Sequence, residues 1–512
     1  MIKMPRRIIF ALFLLSGMTG LIYQVVWTKL LTLVFGVTIL AVSTVLTSFF
    51  GGLALGSYVG GRWIDRRGNG FKWYGAAETL VGVYALVFPA LITVNNSVYV
   101  SIAHAASPGF YGQSLLKFAL SVLLLIIPAT LMGATLPILS KTLARSDARF
   151  AKDVGGLYAV NTAGAVIGAV LTAFILIPSI GQKTILYLAG FLNIAIGVCA
   201  ILAGRAYNGD EAVSGKDAAG QGSPAHASRG RPGEANATGS APAYQAIPGY
   251  YASLLIWGFA FSGFTGLAYE VIWTRVLGFM LIGTVYAFAA VLAVFLTGIA
   301  AGSFVFSRFA DRVRSVSTLI LILAAVEALI GITSIGLIGL YDKLPSFGFY
   351  RAVESTPVWS EFLFLNFLTS FITLILPTFL FGATFPLVCK LYAMRGGGTG
   401  AKIGNIYSVN TVGGIAGSFA GGFILVPFAG MQNTIVLMGL VNVAIGILFM
   451  ALNPFAVKKL RYIFATASAA LVLTLILTLP ANMPLALHKR FLTQGEDMVF
   501  YREGAAATVM IA

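Results

Sequence analysis

Polar and apolar residues in this chain do not alternate at a short period. The apolar positions come in long runs, about 20 residues or more, broken by short polar stretches. A run of that length crosses a hydrocarbon core of roughly 30 Å as one helix, because backbone in lipid must bond to itself. The pattern predicts spans at 8–35, 37–60, 73–95, 116–140, 154–178 and 184–204, then at 250–280, 284–306, 317–340, 362–389, 403–427, 432–452 and 462–480. Between the sixth and seventh, Arg205 to Pro248 is rich in Gly, Ala, Ser and Pro and has no apolar period. It reads as a disordered linker.

The two sides of that linker are copies. SGMTGLIYQVVWTK from Ser16 to Lys29 returns as SGFTGLAYEVIWTR from Ser262 to Arg275, a shift of 246. The same shift carries Gly56-Ser57 to Gly302-Ser303, Arg62 to Arg308 and Asp65-Arg66 to Asp311-Arg312. From there the shift is 249, pairing Glu78 with Glu327, Met132–Lys141 with Phe381–Lys390, Asn161 with Asn410 and Asn193 with Asn442. Matched polar residues over so long a stretch mark a duplication. Six spans is an even number, so the copies are expected to enter the membrane in the same direction, as parallel repeats. The domain reading is therefore 1–204 for the first repeat, 205–248 for a cytoplasmic linker and 249–452 for the second repeat. An extra transmembrane or interfacial helix occupies 453–480, and a tail 481–512.

Composition agrees: 58% of residues are hydrophobic, 10% are charged, and the mean hydropathy is +0.91. Soluble domains carry about 25% charged residues. The net charge of +16 would suggest a nucleic-acid partner, but its distribution has another cause. With the amino terminus inside, internal segments hold 24 of the 33 basic residues, the signature of cytoplasmic loops. The expected location is a bacterial inner membrane, with no nucleic acid bound. The first run is too long for a cleaved signal peptide and holds Gln24 and Lys29 where small residues should be. Cys199 and Cys389 lie in or beside apolar runs and imply no disulfide framework. His104, His226 and His488 are far apart, so no metal is expected. The run Arg395–Gly400 follows no buried strand and reads as a hinge rather than a cofactor loop.

Ionisable groups inside spans cost about 2.5–3.5 kcal/mol on insertion scales and usually face a cavity or a partner. Glu78, its copy Glu327, and Glu270 with its neutral copy Gln24 are thus candidates for a cation site or proton relay. The competing reading makes them interhelical glue. Asn161 and Asn410 lead into small-residue faces (Gly164, Gly168; Gly413, Gly414, Gly417), where amides bond across close helix contacts. Lys29 and Arg275, two residues after Trp27 and Trp273, read as interfacial anchors. Pro128, Pro137, Pro377 and Pro386 are expected to kink their spans.

Gly61-Arg62-Trp63-Ile64-Asp65-Arg66-Arg67-Gly68 resembles the cytoplasmic loop motif of major facilitator transporters, a tight turn allowed by glycine. Asp311 and Arg312 persist in the second copy without the glycines. Together, the paired SGxTGLxYxVxWT, GATxP and YxVNT segments resemble the membrane region of the bacterial fused major-facilitator/spermidine-synthase-like proteins. That resemblance implies an all-α, major-facilitator-like membrane bundle followed by an aminopropyltransferase-like domain. The last residues, Asp497 to Ile511, alternate roughly at period two and look like that domain's opening β-hairpin. The catalytic core lies outside these 512 residues, so no catalytic residue and no cofactor is expected in this chain. Two functions follow from the resemblance: a module moving a small cationic metabolite such as a polyamine, or a membrane scaffold for a synthase-type domain in cis or trans.

Overall fold

Long apolar runs become long helices, and their ends fall where the chain carries charge, glycine or proline. The computed structural model describes residues 6–36, 38–67, 69–143, 147–218, 247–280, 284–343, 358–393, 399–483, 500–503 and 508–511. The first repeat contains α1 (Arg6–Phe35), α2 (Thr38–Arg67), α3 (Gly70–Ala106), α4 (Phe110–Leu143), α5 (Asp147–Leu171) and α6 (Gln182–Ala218). The second contains α7 (Gly249–Met280), α8 (Thr284–Arg312), α9 (Val316–Lys343), α10 (Trp359–Ala393), α11 (Thr399–Ala420) and α12 (Val426–Ala451). Beyond them are α13 (Lys458–Leu477) and the antiparallel strands β1 (Phe500–Glu503) and β2 (Thr508–Ile511), with Phe500 opposite Ile511.

The duplication extends to irregularities. After α5 comes a π-helical turn, Thr172–Leu176, and after α11 another, Gly421–Leu425. Each precedes a proline, Pro178 or Pro427, at the same shift of 249. Proline has no N–H to return to the carbonyl four residues back, and the ladder just before it slips to i→i−5: Ile177 N–H donates to Thr172 O, and Val426 N–H to Gly421 O. The chain then reverses at Gly181 (φ 75°) and Gly430 (φ 78°). A continuous apolar stretch of 44 residues, Ser408–Ala451, is thereby two spans, since one helix of that length would be about 66 Å. Thirteen spanning helices result among the described residues.

Helix pairings repeat as well. In the first half α1 packs on α5 and α6, α2 on α4, and α3 on α4 and α6; in the second α7 packs on α11 and α12, α8 on α10, and α9 on α10 and α12. Between halves the contacts are swapped copies: α2 with α11 and α5 with α8, α2 with α7 and α1 with α8. At residue level Phe118 meets Phe423 at 5.1 Å, and its copy Phe367 meets Phe174, the copy of Phe423, at 6.1 Å. Both contacts lie where α4 and α10 begin and α5 and α11 end, on one side of the bundle. An axis along the membrane normal places them so. The expected class, an all-α membrane bundle of two parallel six-helix repeats with a further long apolar helix, is the one observed.

Helix α13 is long and apolar enough to cross a membrane. Its 20 residues reach about 30 Å, and it runs beside the full length of α12. Arg461 donates to Ala451 O at one end, and Gln432 donates to Pro480 O at the other. Val472 packs with Ile335 and Val443 between them. Helix α6 continues through Ala218, past the position where the linker was expected to start, because extending an existing helix is far cheaper than nucleating one. The remainder of the expected linker, 219–246, and residues 395–398 of the expected hinge Arg395–Gly400 lie outside the described residues, while Thr399 and Gly400 open α11.

Candidate functional site

The duplicated carboxylates are held inside their own repeats. Glu78 on α3 is 2% exposed. Ser16 Oγ on α1 donates to its Oε1 at 2.5 Å, and Asn193 Nδ2 on α6 to its Oε2 at 2.5 Å. Tyr23 OH in turn donates to Asn193 Oδ1 at 3.0 Å. Glu327 on α9 is 1% exposed and accepts from Asn442 Nδ2 at 2.9 Å. Each network ties the first, third and sixth helices of a repeat, and the halves share no member. Sequence reading had aligned Ser16 with Ser262 and Asn193 with Asn442 without seeing them as partners. The signal was available: polar residues at matched positions inside three different spans of each copy. Glu78 and Glu327 therefore do not meet in a common cavity.

The asparagines are glue. Asn161 Nδ2 donates to Phe13 O at 3.2 Å and Asn410 Nδ2 to Phe259 O at 2.8 Å. The contact is close enough to require glycine: a Cβ on Gly17 would stand 2.1 Å from Asn161 O, and on Gly263 2.3 Å from Asn410 O. The interfacial-anchor expectation is corrected. Trp27 and Trp273 are 1% and 0% exposed and stack on Tyr23 and Tyr269, one helical turn back. Lys29 lies within α1, which runs on to Phe35. Two aromatics at this spacing stack into the core rather than float at headgroup level.

The loop motif is also corrected. Gly61, Asp65 and Arg66 are helical, inside α2, and Asp311 and Arg312 close α8. The tight turn comes later, at Asn69 (φ 48°), whose side chain accepts from Lys72 N and caps α3. Gly68 lies outside the described residues. Pro128 and Pro137 sit inside the continuous α4, and Pro377 and Pro386 inside α10.

Gln24 and Glu270 stand apart from the satisfied networks. They are 2% and 1% exposed, yet Gln24 Nε2 and Glu270 Oε1 are buried without a hydrogen-bond partner among the described residues. Thr47 Oγ1 on α2, Ser121 Oγ on α4, and the indole nitrogens of Trp27 and Trp273 share that state. Gln24, Thr47, Ser121 and Glu270 each lie about ten residues, roughly 15 Å, from their helix end on the same side. Helix α2 packs against α1, α4 and α7. Four of these groups thus stand at a similar height on α2 and the helices it touches, while others, such as Tyr74 OH, Ser334 Oγ and Tyr341 OH, lie elsewhere in the two repeats. Buried polar atoms are nearly always bonded, so the four together mark a place where a ligand or water belongs.

Among the described residues, the side-chain contacts across the seam between halves gather on one side. Ser43 Oγ donates to Ser418 O at 2.5 Å and Ser418 Oγ to Ser43 O at 3.2 Å, joining α2 to α11. Phe118 packs on Phe419 and Phe423, Tyr111 stacks on Phe428, and Phe174 meets Tyr286 and Phe367. All of these lie on the side where α1 ends and α2 begins. One core of buried side chains crosses between halves there. On the other side the first repeat has its own core, with Ile9, Ile64, Phe71 and Leu157, while in the second repeat the shared core runs through to that side, with Tyr251, Val316 and Leu391. Along α2, Gly51 faces Ile415 of α11. Seven residues further on the same face Tyr58 is 61% exposed, while Val412 of α11 is 62% exposed.

No protein-family model matches the chain, and no curated protein sequence does. Among solved structures the chain is similar to a bacterial homolog of the human lysosomal transporter Spinster. In that protein's inward-facing, unoccupied form the identity is 17% and the TM-score 0.48, covering 95% of this chain and 98% of that one. Its inward-facing, occupied form gives 12% and 0.44 over 93% and 98%. A POT family transporter in complex with 5-aminolevulinic acid gives 16% and 0.45 over 88% and 96%. Identities and TM-scores this low carry no weight for function.

Proposed function

We propose that this protein is an alternating-access transporter of a small solute, held here with its halves closed on one side and parted on the other. The one-sided seam carries this reading: two rigid repeats joined by swapped contacts at one end can rock about the midplane. On the orientation given by the basic loops, the closed side is external. The buried groups Gln24, Thr47, Ser121 and Glu270, at a similar height on α2 and the helices it touches, supply the candidate solute site. Glu270, whose first-repeat copy is the neutral Gln24, is the group suited to a cationic solute; Glu78 and Glu327 serve as braces within each half. A polyamine as that solute rests on the family resemblance, as does a synthase-type domain working in cis or trans.

The test is uptake of labelled spermidine into proteoliposomes containing the full chain. Glu270→Gln is expected to lower uptake at least tenfold with the protein still folded, whereas Glu78→Gln should act mainly through stability. Folded protein with no solute movement in any variant would favour the second reading, a non-transporting scaffold. The fully bonded networks at Glu78 and Asn161, which brace helices without facing a common cavity, are the observation on that side.

A further inference from the structure

The uncovered end of α2 carries a cavity of about 290 Å³ lined by Tyr58, Val59, Arg62, Trp63 and Arg66. Their spacing puts them on one stripe of the helix. The Arg62 guanidinium lies 3.6 Å over the Tyr58 ring, so the cation is held along the helix. Trp63 meets Trp73 of α3 edge to face at 5.4 Å, and Lys72 Nζ stands 5.8 Å from the Trp73 ring. Two arginines one turn apart, an indole, a tyrosine and a valine therefore line the cavity, and Trp73 and Lys72 of α3 adjoin it through the contact with Trp63.

The duplication repeats every lining type. Tyr58, Val59, Arg62, Trp63 and Arg66 return as Phe304, Val305, Arg308, Phe309 and Arg312, and Arg308 lies 3.5 Å over the Phe304 ring. A charge cluster that only set topology would need cations alone. It would not need an aromatic under each first arginine, an exposed valine, and a second aromatic, kept together in both copies. Cations favour a phosphate, indoles favour headgroup level, and exposed Tyr58 and Val59 favour a hydrocarbon chain. One molecule has all three parts.

We propose that the α2 pocket, and its copy on α8, bind the headgroup of an anionic phospholipid from the leaflet beside the open side of the seam. The phosphate sits between Arg62 and Arg66, within reach of Lys72, and an acyl chain lies along Tyr58 and Val59. This site does not depend on solute transport: the stripe is exposed in this structure, with the halves parted on that side.

Native mass spectrometry of the full chain released from detergent, with phosphatidylglycerol or phosphatidylcholine added, tests the assignment. Phosphatidylglycerol is expected to be retained in preference to phosphatidylcholine. Arg62→Gln with Arg66→Gln should weaken retention about 30-fold, at about fivefold per arginine near a membrane surface. Arg62→Lys with Arg66→Lys keeps the charge and should retain most of the binding, which separates lost affinity from lost folding. Adding Arg308→Gln and Arg312→Gln should remove the second bound lipid. Equal retention of both lipids, unchanged retention in the double Gln variant, or full competition by millimolar inorganic phosphate would each overturn the proposal.

Discussion

Although they are copies in the two repeats, Asn193 does two things and Asn442 does one. Asn193 donates to Glu78 and accepts from Tyr23; Asn442 donates to Glu327, but its Oδ1 is buried without a partner among the described residues. Leaving a buried polar group unsatisfied costs about 1–3 kcal/mol. Asn193→Leu strips a donor from Glu78 and an acceptor from Tyr23, so it should destabilise more than Asn442→Leu, which strips one donor and also removes an orphan acceptor. Unfolding of the two variants in detergent, followed by intrinsic fluorescence, measures the difference. Equal losses would mean that the Tyr23 bond contributes nothing. Sequence reading placed both carboxylates and both asparagines in spans but left their roles open, because which neighbour a helix face meets depends on its rotation in the bundle.

Among the helices, the reversals at Gly181 and Gly430 were legible only in part. The sequence shows proline and glycine in sequence order, Pro178 then Gly181 and Pro427 then Gly430, but not the π-helical turns that precede them. Those turns are a response to the missing proline N–H and appear only once the helix has formed. Gly181 has φ 75° and ψ 162°, a region open essentially to glycine, where another residue costs about 1–3 kcal/mol. No atom lies within 4 Å of a Cβ added there, so Gly181→Ala isolates backbone strain and should lower stability by that amount. Gly336→Ala is the control: it too has nothing within 4 Å, lies inside α9, and should gain about 0.5–1 kcal/mol. Thermal unfolding of both variants gives the comparison. A neutral Gly181→Ala would show that the turn relaxes.

For the whole molecule, the closed side of the seam makes a distinct prediction. Ser43 and Ser418 bond to each other's backbone across α2 and α11, so cysteines at both positions should cross-link readily under mild oxidation. If the halves rock, Ser43→Cys with Ser418→Cys should lose solute uptake on oxidation and recover it with reductant. Uptake that persists in fully cross-linked protein would show that this contact is a permanent joint and not a gate. The same cross-link should leave lipid retention at Arg62 unchanged, since it favours the state in which that stripe is exposed.

The residues alone determined span lengths, the duplication and the helix breaks. These are properties of contiguous segments: bilayer thickness sets the run length, and copied residues keep their order. They also supplied the hairpin at Phe500–Ile511 and both members of every duplicated pair. Tertiary structure alone decided that Glu78 meets Asn193, that Trp27 stacks on Phe88 of α3, that Gln24 Nε2 and Glu270 Oε1 find no partner among the described residues, and that the halves close at Ser43 and Ser418 while parting at Tyr58. Each of those facts joins segments from different helices. An apolar helix looks much the same from every side to lipid, so its facing is chosen by small residues and buried polar groups on its neighbours.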